Sequence, residues 1–110
     1  MIEDTLSKIE ARIEKTEAIK ADSKVELLGL ITTLKTEIDQ LSQTNQDQAQ
    51  TIAVFAQVSA HEATRDEKNP QLLKLSLDGL SASVGGFEQS HPKLVDIVNR
   101  ICTTLSSLGV

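Results

Sequence analysis

The sequence predicts an all-α fold of antiparallel helical hairpins arranged as a bundle, with one long coiled-coil-like helix at its centre. Three observations carry that expectation. Leucine, isoleucine and valine recur at alternating steps of four and three along most of the chain, the spacing of one helix face. Only 5 glycines and 2 prolines interrupt 110 residues, and β-hairpin turn signals are absent. The composition is 39% hydrophobic but only 2% aromatic, so the core must be aliphatic, and Leu, Ile and Val pack helix seams without needing polar partners. A chain of this length suits one domain with one core.

The first helix is expected over about residues 2–19. Ile2, Leu6, Ile9 and Ile13 form its apolar stripe, and the remaining face is charged and reads as solvated. The stripe fades where Thr16 and Lys20 take the next places. Ala21-Asp22-Ser23 is the first break. Ser23 with Glu26 fits a capping box, in which each side chain satisfies an orphan amide of the other, and Asp22 offers an alternative cap.

The central helix is expected over about residues 23–66. It begins with a wide apolar face, Leu27, Leu28, Leu30, Ile31 and Leu34, and narrows to Ile38 and Leu41. Residues 42–51 are glutamine-rich, yet the heptad keeps phase across them: Asn45, Gln48, Ile52 and Phe55 occupy the next seam places. Isoleucine at a, leucine at d and one asparagine at a favour a two-stranded parallel coiled coil. A continuous helix of this length would extend roughly 65 Å at 1.5 Å per residue. The alternative is two shorter helices broken near 44–47, where Thr44 and Asp47 also fit a capping box. The expected oligomer seam is Leu27, Ile31, Leu34, Ile38 and Leu41, continued by Asn45, Ile52 and Phe55. Within it Asn45 and Gln48 would set register and partner number.

Two further helices follow, over about 70–87 and 92–108. Asn69 can cap the first, and Pro70 suits its opening position because that residue needs no intrahelical N–H bond. Gly85-Gly86 weakens its end. The hairpin turn is expected at Phe87, Ser90, His91 and Pro92, with Ser90 or His91 as the cap of the last helix. Leu94, Val98, Ile101, Leu105 and Leu108 form the seam of that helix, widened by Val95, Ile97 and Cys102, before Gly109 closes it.

The stretch Phe87-Glu88-Gln89-Ser90-His91-Pro92, followed by Leu94 and by a close at Leu108-Gly109-Val110, resembles a family of small bacterial helical proteins known only as a domain of unknown function. The resemblance implies paired helical hairpins ending in this turn. It implies no activity, ligand or catalytic residue. The long Gln- and Ala-rich middle, residues 42–68, departs from the family's usual short form.

The formal net charge of −5, with cations scattered among the acids and no evident Lys/Arg stripe, argues against nucleic acid, which needs a cationic face. It argues equally against anionic membrane surfaces. No apolar run approaches the ~20 residues that span a bilayer. The start is acidic without an apolar signal core, so a cytoplasmic location is the expectation. The single cysteine, Cys102, cannot form an internal disulfide and reads as a small buried hydrophobe.

Candidate chemistry is sparse. His61-Glu62 opens like a zincin motif, but Arg65 stands where the second histidine would be. His91 sits at the turn, where a ring bonded to a helix end is a simpler reading than a ligand or a titrating switch. Cys102 lies about three turns into its helix, too far along the axis from His91 for a nucleophile and base. No catalytic, cofactor-binding or metal-ligating set emerges. The expectation is therefore a non-enzymatic oligomerisation or scaffold module, a homodimer, with two alternatives. One is a four-helix ligand sensor with a pocket beside the small residues Ala53, Ala56, Ala60, Ser83, Gly85 and Gly86. The other is an adaptor that binds a larger protein through the acidic first helix.

Overall fold

The computed structural model describes residues 2–108. They form five α-helices: α1 (Ile2–Lys15), α2 (Ala21–Ser42), α3 (Gln46–Thr64), α4 (Pro70–Ser83) and α5 (Pro92–Leu108). There is no strand among the described residues. The bundle measures 37 × 24 × 22 Å, far shorter than the roughly 65 Å of a continuous central helix.

That helix is broken, and the break falls at residues 43–45. The Thr44 and Asn45 amides both turn back to the Leu41 carbonyl, at 3.1 and 2.8 Å, and so close α2. Asn45 then leaves helical geometry (φ −149°, ψ 75°), and its side-chain oxygen accepts from the Gln48 amide at 3.2 Å. The residue that reads as a coiled-coil a position is instead an exposed N-cap. One side chain can do either job, because the short amide that tolerates a seam also satisfies an orphan N–H. The Thr44–Asp47 capping box does not form; the Thr44 hydroxyl donates back to Leu41 O at 3.3 Å.

Other boundaries differ by four residues at most. α1 stops at Lys15, where its apolar stripe ends, and Ile19 anchors the connection by burying itself in the core. α2 begins at Ala21 with Lys20 as its cap and no side-chain cap bond, so Ser23 and Glu26 lie inside the helix. Asp22, in the first turn, meets the positive end of the helix dipole. Asn69 caps α4 as expected, accepting from the Leu72 amide at 3.1 Å ahead of Pro70. α4 ends at Ser83, where the Val84 and Gly85 amides turn back to the Ser81 and Ala82 carbonyls at 3.4 and 3.0 Å, and Gly86 beyond takes φ +95°, a left-handed geometry that suits glycine.

α3 is the hub: it packs against all four other helices. Its composition explains why it can. Ala49, Ala53, Ala56, Ala60 and Ala63 are at most 2% exposed, and side chains this short let several neighbours approach one axis. Larger side chains from the other helices fill the remaining space. Leu6, Ile9 and Ile13 come from α1, Leu73 and Leu80 from α4, and Leu94, Val98, Ile101 and Leu105 from α5. Each contributes roughly 1.5–3 kcal/mol by leaving water. Polar ties hold the ends. Gln48 Nε2 donates to Ser83 O at 2.6 Å, joining the start of α3 to the end of α4. Lys68 Nζ donates to Ala63 O at 2.6 Å and Leu108 O at 3.0 Å, gathering the C-terminal carbonyls of α3 and α5.

Candidate functional site

The expected oligomer seam lies inside the molecule. Leu27, Ile31, Leu34, Ile38, Leu41 and Ile52 are no more than 1% exposed within a single chain. Breaking the helix folds α3 against α2, so the stripe that would face a second copy is covered by α1, α3 and α5. Asn45 is exposed, and Gln48 is committed to the α4 carbonyl rather than to a seam. These positions are therefore corrected from an interface between chains to the bundle's own core and caps. Aspartate at Leu34 would bury a charge and unfold the chain instead of dispersing a dimer.

Phe55 is the exception, half-buried on the α4 side of α3. Its ring lies across Gly79, where a Cβ would overlap it, so glycine is what admits this close crossing. The contact also sets the antiparallel register of the two helices. With Phe55 level with Gly79, Val58 comes level with Ser76, next to Leu75, and Glu62 with Leu72. Around it lie most of the large apolar side chains left in water: Val54 at 44%, Val58 at 42%, Leu72 at 43% and Leu75 at 66% exposure. Exposed Lys74 and Asp78 flank them, paired at 3.1 Å. Single exposed apolar residues are ordinary, but a contiguous group marks a contact surface.

The turn residues Phe87, Ser90, His91 and Pro92 connect α4 to α5. The His91 ring meets Phe87 edge-on, with centroids 5.8 Å apart at 71°, instead of bonding a helix-end carbonyl. The backbone does the capping: His91 N–H donates to Phe87 O at 2.8 Å. Among the small residues expected beside a pocket, Ala53, Ala56 and Ser83 are buried in helix contacts, Ala60 is buried at the edge of a groove between α1 and α3, and Gly85 and Gly86 lie in the exposed turn.

Between α4 and α5 runs an open groove of about 670 Å³ with Leu73, Leu77 and Cys102 along it. Burial, and then the negative charge of Asp78, push the Cys102 thiol up from its ordinary 9.0 to about 11. Its sulfur lies 3.8 Å from Leu77 O. A thiol held protonated at neutral pH is a poor nucleophile and a poor metal ligand. His61 is exposed, with Nε2 3.8 Å from the buried Glu62, whose other oxygen takes the Arg65 guanidinium at 2.9 Å. Among the described residues no three His, Cys, Asp or Glu side chains gather to hold a metal ion. No helix among them is long and apolar enough to cross a membrane.

No curated protein and no solved structure matches the chain. A family model, the domain of unknown function DUF4404, matches residues 2–110. That is nearly the whole chain, and the protein belongs to this family.

Proposed function

We propose that the protein is a helical interaction module that pairs with a second copy of itself through the outer face of α3 and α4. The observation that carries this reading is the concentration of Val54, Val58, Leu72 and Leu75 on one face of a bundle whose other large apolar side chains are mostly covered. Leaving four such half-exposed side chains in water forfeits roughly half of the 1.5–3 kcal/mol that complete burial of each would contribute, which a partner surface recovers in part. The face also suits a copy of itself. α4 carries large residues at its start, Leu72 and Leu75, and small ones at its end, Gly79 and Ala82. A two-fold axis that sets two α4 helices antiparallel brings Leu72 opposite Ala82 and Leu75 opposite the Phe55 ring over Gly79. It also brings Lys74 of one copy near Asp78 of the other, and such isologous pairing is the commonest oligomer geometry.

Sedimentation equilibrium on the wild type and on the Leu72→Glu/Leu75→Glu variant tests the proposal. Both side chains are exposed, so the variant keeps its fold. A wild-type mass near twice 11.9 kDa, with a variant of single mass and unchanged melting temperature, is the expected result. A wild type that stays monomeric at all concentrations removes the proposal and leaves this face to a different protein.

A further inference from the structure

Apart from Asp4, which stands one turn before Lys8, the charges of α1 are sorted by side, and the sorting builds a groove. Glu3, Glu10 and Glu14 fall at i, i+7 and i+11, on the edge toward α2, where Glu10 meets Lys35 Nζ at 2.8 Å. Lys8, Arg12 and Lys15 fall at i, i+4 and i+7, on the opposite edge toward α3. The cations scattered along the sequence thus form a short stripe once α1 is helical, and it faces a neighbour that completes it. α3 presents Gln57 and His61, one turn apart, across a groove of about 400 Å³ from Lys8 and Arg12. The apolar side chains Ile9, Val58 and Ala60 line it as well. That volume lies within the range of roughly 300–1,000 Å³ typical of small-molecule sites.

Three features of this groove point to an anionic ligand. No carboxylate lines it, in a chain whose net charge is −5. The nearest acid of α3, Glu62, is buried and gives one oxygen to Arg65 at 2.9 Å while the other lies 3.8 Å from His61 Nε2, and Asp4 occupies the neighbouring place one turn before Lys8. Arg12 is held in place beforehand: its Nε–H donates to Thr64 Oγ1 at 2.6 Å, and that hydroxyl donates onward to Ala60 O at 2.7 Å. Anchored through Nε, the guanidinium keeps its two terminal nitrogens for another acceptor. A planar, fixed fork of N–H donors matches the oxygens of a carboxylate or phosphate, and fixing it in advance lowers the cost of binding.

We propose that the α1–α3 groove binds a small amphipathic oxyanion. Its carboxylate or phosphate head meets Lys8 and Arg12, with His61 and Gln57 as further hydrogen-bonding groups, and its alkyl body lies over Ile9, Val58 and Ala60. This site shares Val58 with the face proposed to pair, but its ligand-binding groups, Lys8, Arg12, Gln57 and His61, lie outside that face and the site does not depend on the pairing.

Calorimetric titration of the full chain with octanoate and with octyl phosphate tests the proposal, alongside amide chemical-shift mapping. Inorganic phosphate and octanol serve as the head alone and the tail alone. Saturable binding of an amphiphile that shifts the amides of Lys8, Arg12, Gln57 and His61 is expected, and the tighter of the two identifies the head group. Lys8→Gln, at an exposed position, should leave the melting temperature unchanged and weaken binding about tenfold, the loss of one charge-assisted contact. Three results would overturn the proposal. One is no saturable binding of either amphiphile. Another is unchanged affinity in Lys8→Gln. The last is equal affinity for inorganic phosphate or octanol, which reduces the groove to an adventitious ion site or a bare apolar patch.

Discussion

Replacing Asn45 by alanine separates two accounts of the middle of the chain by the sign of its effect. In the five-helix bundle Asn45 is the N-cap of α3, and its Oδ1 accepts the Gln48 amide at 3.2 Å. Alanine offers no acceptor, and removing such a cap costs about 1 kcal/mol, with a range of roughly 0.5–2. Asn45 is exposed, so no cavity term adds to this. A loss of that size lowers the melting temperature of a domain near this length by roughly 4–8 °C. In a continuous helix the same change would stabilise, because alanine exceeds asparagine in helix propensity by up to ~0.7 kcal/mol. A buried seam asparagine would add to that gain by no longer opposing association. Urea denaturation followed by far-ultraviolet circular dichroism reads the sign directly. Asn45→Ser and Asn45→Asp, which keep an acceptor, should retain most of the wild-type stability. Stabilisation by Asn45→Ala would refute the cap and the break together.

Two further predictions follow from buried groups. Ser59 is fully buried, and its hydroxyl has no partner among the described residues, whereas Ser76 and Ser83 donate back to Leu73 O and Leu80 O at 2.8 and 2.6 Å. Ser59→Ala should therefore stabilise the protein by about 1 kcal/mol in the same denaturation assay, by removing an unsatisfied group from a helix; a loss of stability would mean that the hydroxyl has a partner. Cys102, with its thiol at about 11 instead of 9.0, should react with iodoacetamide at pH 8 roughly a hundredfold more slowly in the native protein than in urea. The unfolded chain releases this proton first, so between pH 9 and 11 the folded state binds more protons and stability falls as pH rises. Equal native and unfolded labelling rates would contradict the burial of the sulfur.

The helix faces were legible in the sequence because burial imposes a period on residue choice. Leu6, Ile9 and Ile13, or Leu94, Val98, Ile101 and Leu105, are apolar at helical spacing and are buried as that spacing requires. The Asn69-Pro70 start of α4 was legible for a local reason, since cap and proline act within one turn. The break at 43–45 was legible only as an alternative placed near 44–47, because the heptad keeps phase through it and the amide of Asn45 suits a seam as well as a cap. Only a distant partner resolves the ambiguity: Gln48 is bound to Ser83 O, across the bundle. The hub role of α3 was half legible. Its alanines stand out in the sequence as small residues, but the number of neighbours they admit is a property of the assembled bundle. The cationic edge of α1 was missed, because Lys8, Arg12 and Lys15 are interleaved with Glu10 and Glu14 in the sequence and gather only at helical spacing, and its other wall, Gln57 and His61, arrives only through folding.

The central claim is that the chain turns back at residues 43–45 and consumes its apolar seam internally. The distance between spin labels at positions 25 and 66 tests this most directly, in protein carrying Val25→Cys, Asp66→Cys and Cys102→Ser. Both labelled positions are exposed. A continuous helix would hold their backbones about 62 Å apart, at 1.5 Å per residue. The bundle extends only 37 Å along its longest axis and folds α3 back against α2, so it requires a much shorter distance, measured with the labelled chain diluted into unlabelled protein so that only intramolecular pairs contribute. A narrow distribution far short of the continuous-helix value is the predicted result; a peak near 60 Å would contradict the fold and return the seam to a coiled coil between chains.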